Sequence, residues 1–97
     1  MRKLDDIINE LRRLQPQLQR RYPIRQMGIF GSYVHGNQRE DSDLDVLVEL
    51  GGGIGLIELI GLKQELSDAI GLNVDLVTKD ALKPRIGRRI LSEVVML

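Results

Sequence analysis

The chain contains no cysteine and no tryptophan, and its only aromatic residues are Tyr22, Phe30 and Tyr33. The absence of cysteine excludes a disulfide scaffold and a zinc–thiolate site, and it agrees with a reducing compartment, so we expect a cytoplasmic protein. Three aromatic rings are too few for a platform that stacks the bases of single-stranded nucleic acid.

Long apolar runs are also absent. The N-terminal stretch MRKLDDIINELRRL alternates charged and apolar residues. A membrane span needs about 20 consecutive apolar residues, so neither a signal peptide nor a membrane-spanning helix is expected.

Aliphatic residues, by contrast, are abundant. Leucine, isoleucine, valine and phenylalanine together supply 34 of the 97 residues, which excludes a disordered chain. The length predicts one domain over residues 1–97 and excludes folds of roughly 200 residues or more, such as a TIM barrel. A core of this size is modest, and a partner subunit would add to its stability.

The formal net charge of zero conceals three blocks of opposite sign. Residues 1–39 carry a net charge of +5, residues 40–82 carry −8, and residues 83–97 carry +3. This distribution is not that of a basic nucleic-acid-binding protein, and no direct nucleic-acid contact is expected. The acidic middle could attract cations and the basic ends an anion; alternatively, each block is simply a solvated face.

Apolar periodicity and turn residues divide the chain into alternating helices and strands. The pattern of Leu4, Ile7, Ile8, Leu11 and Leu14 predicts a first helix, which Pro16 should end or kink before a short second helix to about Arg21. The remaining predicted elements are strands over 24–30, 43–50 and 72–78, one helical turn over 33–36, and helices over 56–70 and 84–93. After the last helix, residues 94–97 are expected to be extended. This order predicts an α/β fold with a small mixed sheet of about three strands packed by helices.

Two aspartates lie two residues apart on the second predicted strand. Because side chains alternate along a strand, Asp43 and Asp45 should project from one face, away from Leu44 and Val46. Asp75 lies on the third predicted strand, and the three carboxylates would converge if the two strands are neighbours. Such hard oxygen ligands suit Mg²⁺ or Mn²⁺ and could hold two ions. Alternatively, Asp43 is a turn residue and Asp45 faces solvent.

The pair Gly31-Ser32 directly follows the first predicted strand. Glycine there would let a ligand approach the backbone, and the serine hydroxyl with nearby amides could bind an anion. The simpler interpretation of Ser32 is an ordinary helix N-cap. An anion cradle after one strand and a carboxylate pair on the next would together suit a metal-bound nucleoside triphosphate.

Gly31-Ser32, ten intervening residues and then Asp43-Leu44-Asp45 resemble the signature of the DNA polymerase β-like nucleotidyltransferase superfamily. The wider segment GIFGSYVHGNQREDSDLDVLVEL resembles the minimal nucleotidyltransferase (MNT) family within it. Asp75, in NVDLV, matches the third carboxylate of that family. The resemblance extends over nearly the whole chain.

The resemblance implies a role for each matching residue. Gly31 and Ser32 would bind the β- and γ-phosphates of ATP, Asp43 and Asp45 would ligate two Mg²⁺ ions, and Asp75 would complete the catalytic metal site and help to activate the attacking hydroxyl. The implied reaction is transfer of AMP to a tyrosine of a partner HEPN ribonuclease toxin, which the MNT protein silences as its antitoxin. The alternative is a non-catalytic module that neutralises its partner by occlusion.

The chain departs from the family pattern at His35, where many members carry arginine. His35 is either a phosphate contact or an exposed turn residue. A basic group near the last predicted helix, formed by Lys83, Arg85, Arg88 and Arg89, could likewise meet the triphosphate or an acidic partner, or be a solvated face. The chain has no residues to spare for recognition of a small acceptor, which favours an acceptor on another protein.

Overall fold

The computed structural model describes residues 3–97 as alternating helices and strands. The elements in chain order are α1 (Leu4–Arg21), β1 (Ile24–Phe30), α2 (Ser32–His35), β2 (Leu44–Leu50), α3 (Leu56–Ile70), β3 (Val74–Thr78), a 3₁₀ turn (Lys79–Ala81), α4 (Pro84–Glu93) and β4 (Val95–Met96). The predicted α/β class is confirmed.

The strands form one mixed sheet in the order β3-β2-β1-β4. Strands β2 and β3 are parallel, whereas β1 is antiparallel to both of its neighbours, β2 and β4. The long α3 makes the parallel pairing possible, because parallel neighbours need a crossover connection.

One face of the sheet carries the core. Alternate residues of β2, namely Leu44, Val46 and Val48, have no exposed surface. They belong to a cluster with α1 and α3, to which these helices contribute the buried residues Ile7, Ile8, Leu11, Leu18, Leu62, Leu66 and Ile70. Strand periodicity therefore turns Asp45 and Leu47 towards the other face of the sheet.

The prediction that Pro16 ends or kinks the first helix into two pieces is corrected: α1 is a single helix of 18 residues with Pro16 inside it. Proline removes one backbone donor from a helix, which disfavours but does not forbid continuation. Leu11 and Leu18, on either side of Pro16, are both buried in the same core. Packing of these two side chains holds the helix together across the proline.

The strand count is four rather than three, because the last residues pair with β1. Val95 lies opposite Ile29 and Met96 opposite Gly28, and the Leu97 amide donates to the Met27 carbonyl at 3.0 Å. A Cβ on Gly28 would lie 2.7 Å from Val94 Cγ2, so glycine at this position allows the C-terminal segment to lie against the sheet.

The third strand also starts later than expected, at Val74 rather than at residue 72. Over residues 3–97, no helix has both the length and the apolar character needed to cross a membrane.

Candidate active site

The two predicted carboxylates Asp45 and Asp75 lie side by side on neighbouring strands. Phe30, Asp45 and Asp75 form one row across the sheet, because Phe30 is the register partner of Asp45 and Asp45 that of Asp75. The row lies where β1 ends and the parallel strands β2 and β3 begin. Asp45 stands between the buried Leu44 and Val46, so its carboxylate projects from the face opposite the core.

The environment of Asp45 opposes ionisation. Burial, which is the largest cause, acts together with the charges of Asp75 and Asp43 and a hydrogen bond with Asp75 to raise the pKa of the half-buried Asp45 carboxyl to about 6. Desolvation and neighbouring like charges both favour the protonated acid. Neighbouring carboxylates whose ionisation is disfavoured in this way are typical of a functional site.

Asp43 precedes β2 and has a different partner. The Asn73 side-chain amide donates to Asp43 Oδ1 at 3.0 Å, and the Leu44 amide donates to the Asn73 carbonyl at 2.9 Å. These two bonds tie the start of β2 to the residue before β3. The Asp43 carboxylate is therefore near enough to influence Asp45 but is engaged with Asn73.

The Gly31 turn lies directly against Asp45. Gly31 has φ of +80°, and a Cβ built there would collide with Asp45 Oδ2. Its carbonyl accepts the Val34 and His35 amides at 3.1 and 3.2 Å, which starts the single turn of α2. Buried Tyr33 anchors that turn to the core. Glycine is thus required by both the backbone conformation and the space available.

A cavity of about 380 Å³ opens beside this turn, between α2 and α4. The residues that line it are Phe30, Gly31, Ser32, His35, Asn37, Ile86, Arg89, Ile90 and Glu93. The Glu93 carboxylate contacts two basic side chains, with Oε2 3.1 Å from His35 Nε2 and Oε1 3.5 Å from Arg89 Nε. Sequence reasoning did not identify Glu93, because its contact with His35 depends on how α4 lies against α2.

The predicted basic group is divided by the fold. Arg89 lines the cavity beside Gly31 and Ser32, whereas Lys83 and Arg88 line a separate cavity of about 340 Å³ with Lys79. Adjacent helical positions point about 100° apart, which separates Arg88 from Arg89.

The carboxylates at the start of β2 and β3 are the candidate ligands for a metal ion. Across the described part of the chain, no group of three or more histidine, cysteine, aspartate or glutamate side chains is arranged to hold a metal ion. The structure joins Asp45 to Asp75 and leaves Asp43 on Asn73. The donors are nevertheless hard carboxylate oxygens, and the repulsion that raises the Asp45 pKa is what a divalent cation would offset, so the residues fit Mg²⁺ in chemistry.

Comparison with known proteins assigns the fold to a family. Residues 11–97 match the family model for the nucleotidyltransferase domain. The chain belongs to that family.

Relatives place this nucleotidyltransferase in the minimal branch of the family. It is 41% identical over 95 residues to the protein adenylyltransferase MntA of Thermococcus cleftensis, covering 98% of this chain and 96% of the relative. A solved minimal nucleotidyltransferase superposes with a TM-score of 0.84 at 32% identity, over 99% of this chain and 97% of that one. The predicted MNT resemblance is confirmed.

A third likeness is to a complex. This minimal nucleotidyltransferase resembles, at 26% identity and a TM-score of 0.70, a chain from the crystal structure of a toxin–antitoxin with AMP-PNP. The match covers 95% of this chain and 69% of that chain.

Proposed function

We propose that this nucleotidyltransferase transfers AMP from Mg²⁺-bound ATP to a tyrosine hydroxyl of a partner HEPN toxin in the cytoplasm, and that it acts as the antitoxin of that partner. The family match supports nucleotidyl transfer. The relative named as a protein adenylyltransferase supports AMP and a protein acceptor, and the likeness to a toxin–antitoxin complex with AMP-PNP supports the partner class.

The contact of the Gly31 turn with Asp45 is the observation that carries the proposal. It places a backbone turn that can approach a phosphate next to a pair of carboxylates on one sheet face. Gly31 and Ser32 bind the β- and γ-phosphates, which leaves the α-phosphate on the side of Asp45 and Asp75. Separate sites for phosphate and for cation are what a metal-bound triphosphate requires.

Asp43, Asp45 and Asp75 would hold two Mg²⁺ ions, and Asp43 would exchange its bond with Asn73 for a metal. When bound, the metal neutralises charge on the triphosphate and stabilises the leaving pyrophosphate. The tyrosine oxygen forms a bond to the α-phosphorus as the bond to the β-phosphate oxygen breaks. Asp75, exposed beside Asp45, helps to activate the hydroxyl and is a ready acceptor for its proton.

The acceptor reaches the site at the end of the sheet where β2 and β3 begin. Helices α1 and α3 pack on the core face, and both Asp43 and Asp75 remain exposed. A tyrosine on a partner protein can approach these exposed carboxylates.

Transfer of label from α-³²P-ATP tests the proposal. The chain is mixed with Mg²⁺ and its neighbouring gene product as the candidate HEPN partner, and label on each protein is measured. We expect label on the HEPN protein, and a decrease of roughly two orders of magnitude or more in Asp43→Asn plus Asp45→Asn, since electrostatic stabilisation of the reacting groups is lost.

The matched control is Asp5→Asn plus Asp68→Asn, which removes the same charge from exposed positions on α1 and α3. We expect this variant to label the partner at the wild-type rate. Absence of label with wild-type protein, together with a tight complex in which the toxin is silent, would reject the enzyme and leave neutralisation by occlusion.

A further inference from the structure

The cavity beside the Gly31 turn has a wall that the proposed chemistry does not yet use. The uncharged Gly31-Ser32 turn lines one side of the cavity, and α4 lines the other side with Arg89 and Glu93. Residues 89 and 93 are one helical turn apart and so lie on the same face of α4. This face looks across the cavity at the turn to which the triphosphate is assigned.

Glu93 connects the two basic side chains that line the cavity. Its carboxylate bridges His35 on α2 and Arg89 on α4, one oxygen to each. The hydrogen bond from His35 lowers the pKa of Glu93, and the charge of Arg89 adds to the effect, so Glu93 is an anion at neutral pH. Without nucleotide, Arg89 therefore has a carboxylate as its partner in this cavity.

We propose that Arg89 binds the triphosphate of the incoming nucleotide. Arg89 would give up its contact with Glu93 and donate hydrogen bonds to the phosphate oxygens beside Gly31 and Ser32. This inference rests on the proposed function, because it assigns a further residue to the same nucleotide site. Arginine suits the role, since its planar guanidinium can donate two parallel hydrogen bonds to a phosphate.

The exchange is favourable because the existing pair is weak. The Arg89 side chain is 81% exposed and its contact with Glu93 spans 3.5 Å, and exposed pairs of this kind contribute only about 0–1 kcal/mol. A triphosphate offers several charged oxygens at once. Glu93 keeps His35 as its partner when Arg89 leaves.

Arg88 provides a matched control on the same helix. It carries the same charge and is also exposed, but its Nε donates to the Pro84 carbonyl at 3.4 Å and it lines the other cavity. If only the positive charge of α4 mattered, Arg88→Ala and Arg89→Ala would weaken triphosphate binding equally. If Arg89 contacts phosphate directly, Arg89→Ala would weaken binding more.

Calorimetric titration of the full chain with α,β-methylene-ATP and Mg²⁺ tests the inference, since the bond that AMP transfer would break is blocked in this analogue. We expect Arg89→Ala to weaken binding roughly tenfold, as for loss of a charged hydrogen bond, and Arg88→Ala to change it less than about twofold. AMP, which lacks the β- and γ-phosphates, should bind Arg89→Ala and wild type alike.

Two further variants separate a phosphate contact from a structural role. Arg89→Lys should recover part of the affinity, and Glu93→Gln, which frees Arg89 and removes a negative charge from the cavity, should tighten triphosphate binding by roughly twofold. If Arg89 only braces α4 through Glu93, then Glu93→Gln would weaken binding as Arg89→Ala does, and the inference would be wrong.

The outcomes also separate this inference from the proposed function. Wild-type protein that binds the analogue and labels its partner, beside an Arg89→Ala protein that binds as tightly as Arg88→Ala, would overturn the inference alone. Wild-type protein that binds no triphosphate would overturn both.

Discussion

At the scale of single residues, Asp45 and Gly31 define the site by their contact. Asp45 is half-buried beside two other carboxylates, and Gly31 has a backbone conformation and a setting that exclude any side chain. The buried charge of Asp45 lowers the stability of the fold, and the conformation at position 31 allows only glycine. Neither feature contributes to packing of the hydrophobic core. Such local costs are expected where a fold has been shaped for chemistry.

The charge of Asp45 should destabilise the metal-free protein at neutral pH. With a folded-state pKa near 6 against the usual 3.8, the penalty is absent below about pH 4, where both states are protonated, and complete above about pH 6. Asp45→Asn should therefore raise the free energy of unfolding by about 1 kcal/mol at pH 7.5 in EDTA, after allowance for solvent screening.

Urea titrations of wild type and Asp45→Asn at pH 7.5 and pH 4 measure this difference. The higher free energy of unfolding of Asp45→Asn should disappear at pH 4. Asp68→Asn, an exposed carboxylate on α3, should give no comparable gain at either pH. A destabilised Asp45→Asn at pH 7.5 would show that the carboxylate supports the fold instead of opposing it.

A side chain at position 31 should damage both fold and activity. Gly31→Ala adds the strain of a backbone conformation (φ +80°, ψ −148°) that is essentially restricted to glycine, about 1–3 kcal/mol, and a collision with Asp45 Oδ2. We expect a loss of more than 2 kcal/mol in stability and loss of AMP transfer.

Gly36 is the control for this change, because it also has a positive φ, +74° in the left-handed region, but a Cβ there would meet nothing within 4 Å. Gly36→Ala should lose only the stability that backbone strain costs, about 1 kcal/mol, and should keep AMP transfer. Equal effects at positions 31 and 36 would mean that the contact with Asp45 has no special importance.

At the scale of elements, the site lies where three strand ends meet. The C-terminal end of β1 and the N-terminal ends of β2 and β3 bring Gly31, Asp45 and Asp75 together. Strand alternation predicted the face of Asp45 from the sequence, because Leu44 and Val46 had to be buried. It predicted the same face for Asp43, but did not predict the bond to Asn73, which needs the β2–β3 pairing.

The elements that sequence reasoning missed depend on distant contacts. The sequence predicts extended residues at 94–97, but two strand residues are too few to predict the pairing of Val95 and Met96 with β1, which depends on Gly28. The bridge from His35 to Glu93 likewise joins residues far apart in the chain. Local propensity cannot anticipate such pairs.

The proline within α1 should be a net cost to stability. Position 16 is exposed, and proline there removes a backbone hydrogen bond and crowds the preceding turn. Pro16→Ala should stabilise the protein by about 1–3 kcal/mol, measured as a higher urea midpoint with an unchanged slope. A lower midpoint would mean that α1 needs the proline in order to pack Leu11 and Leu18 together.

At the scale of the whole molecule, the two faces of the sheet have different tasks. One face is covered by α1 and α3 and supplies the core, and the other presents carboxylates at one end, next to the cavity beneath α4. Under the proposed function, a chain of 97 residues would bind the nucleotide between the Gly31 turn and α4 and leave the exposed Asp43 and Asp75 accessible to the acceptor. This division explains why the acceptor is assigned to a partner protein.

The mass of the HEPN protein purified from cells tests the central claim most directly. It is co-expressed with wild-type chain, with Asp45→Asn, or with Asp68→Asn, and its intact mass is measured beside its toxicity. The account predicts a HEPN protein heavier by added AMP with wild type and with Asp68→Asn, and an unmodified, toxic partner with Asp45→Asn. An unmodified partner that is silent in all three would contradict it.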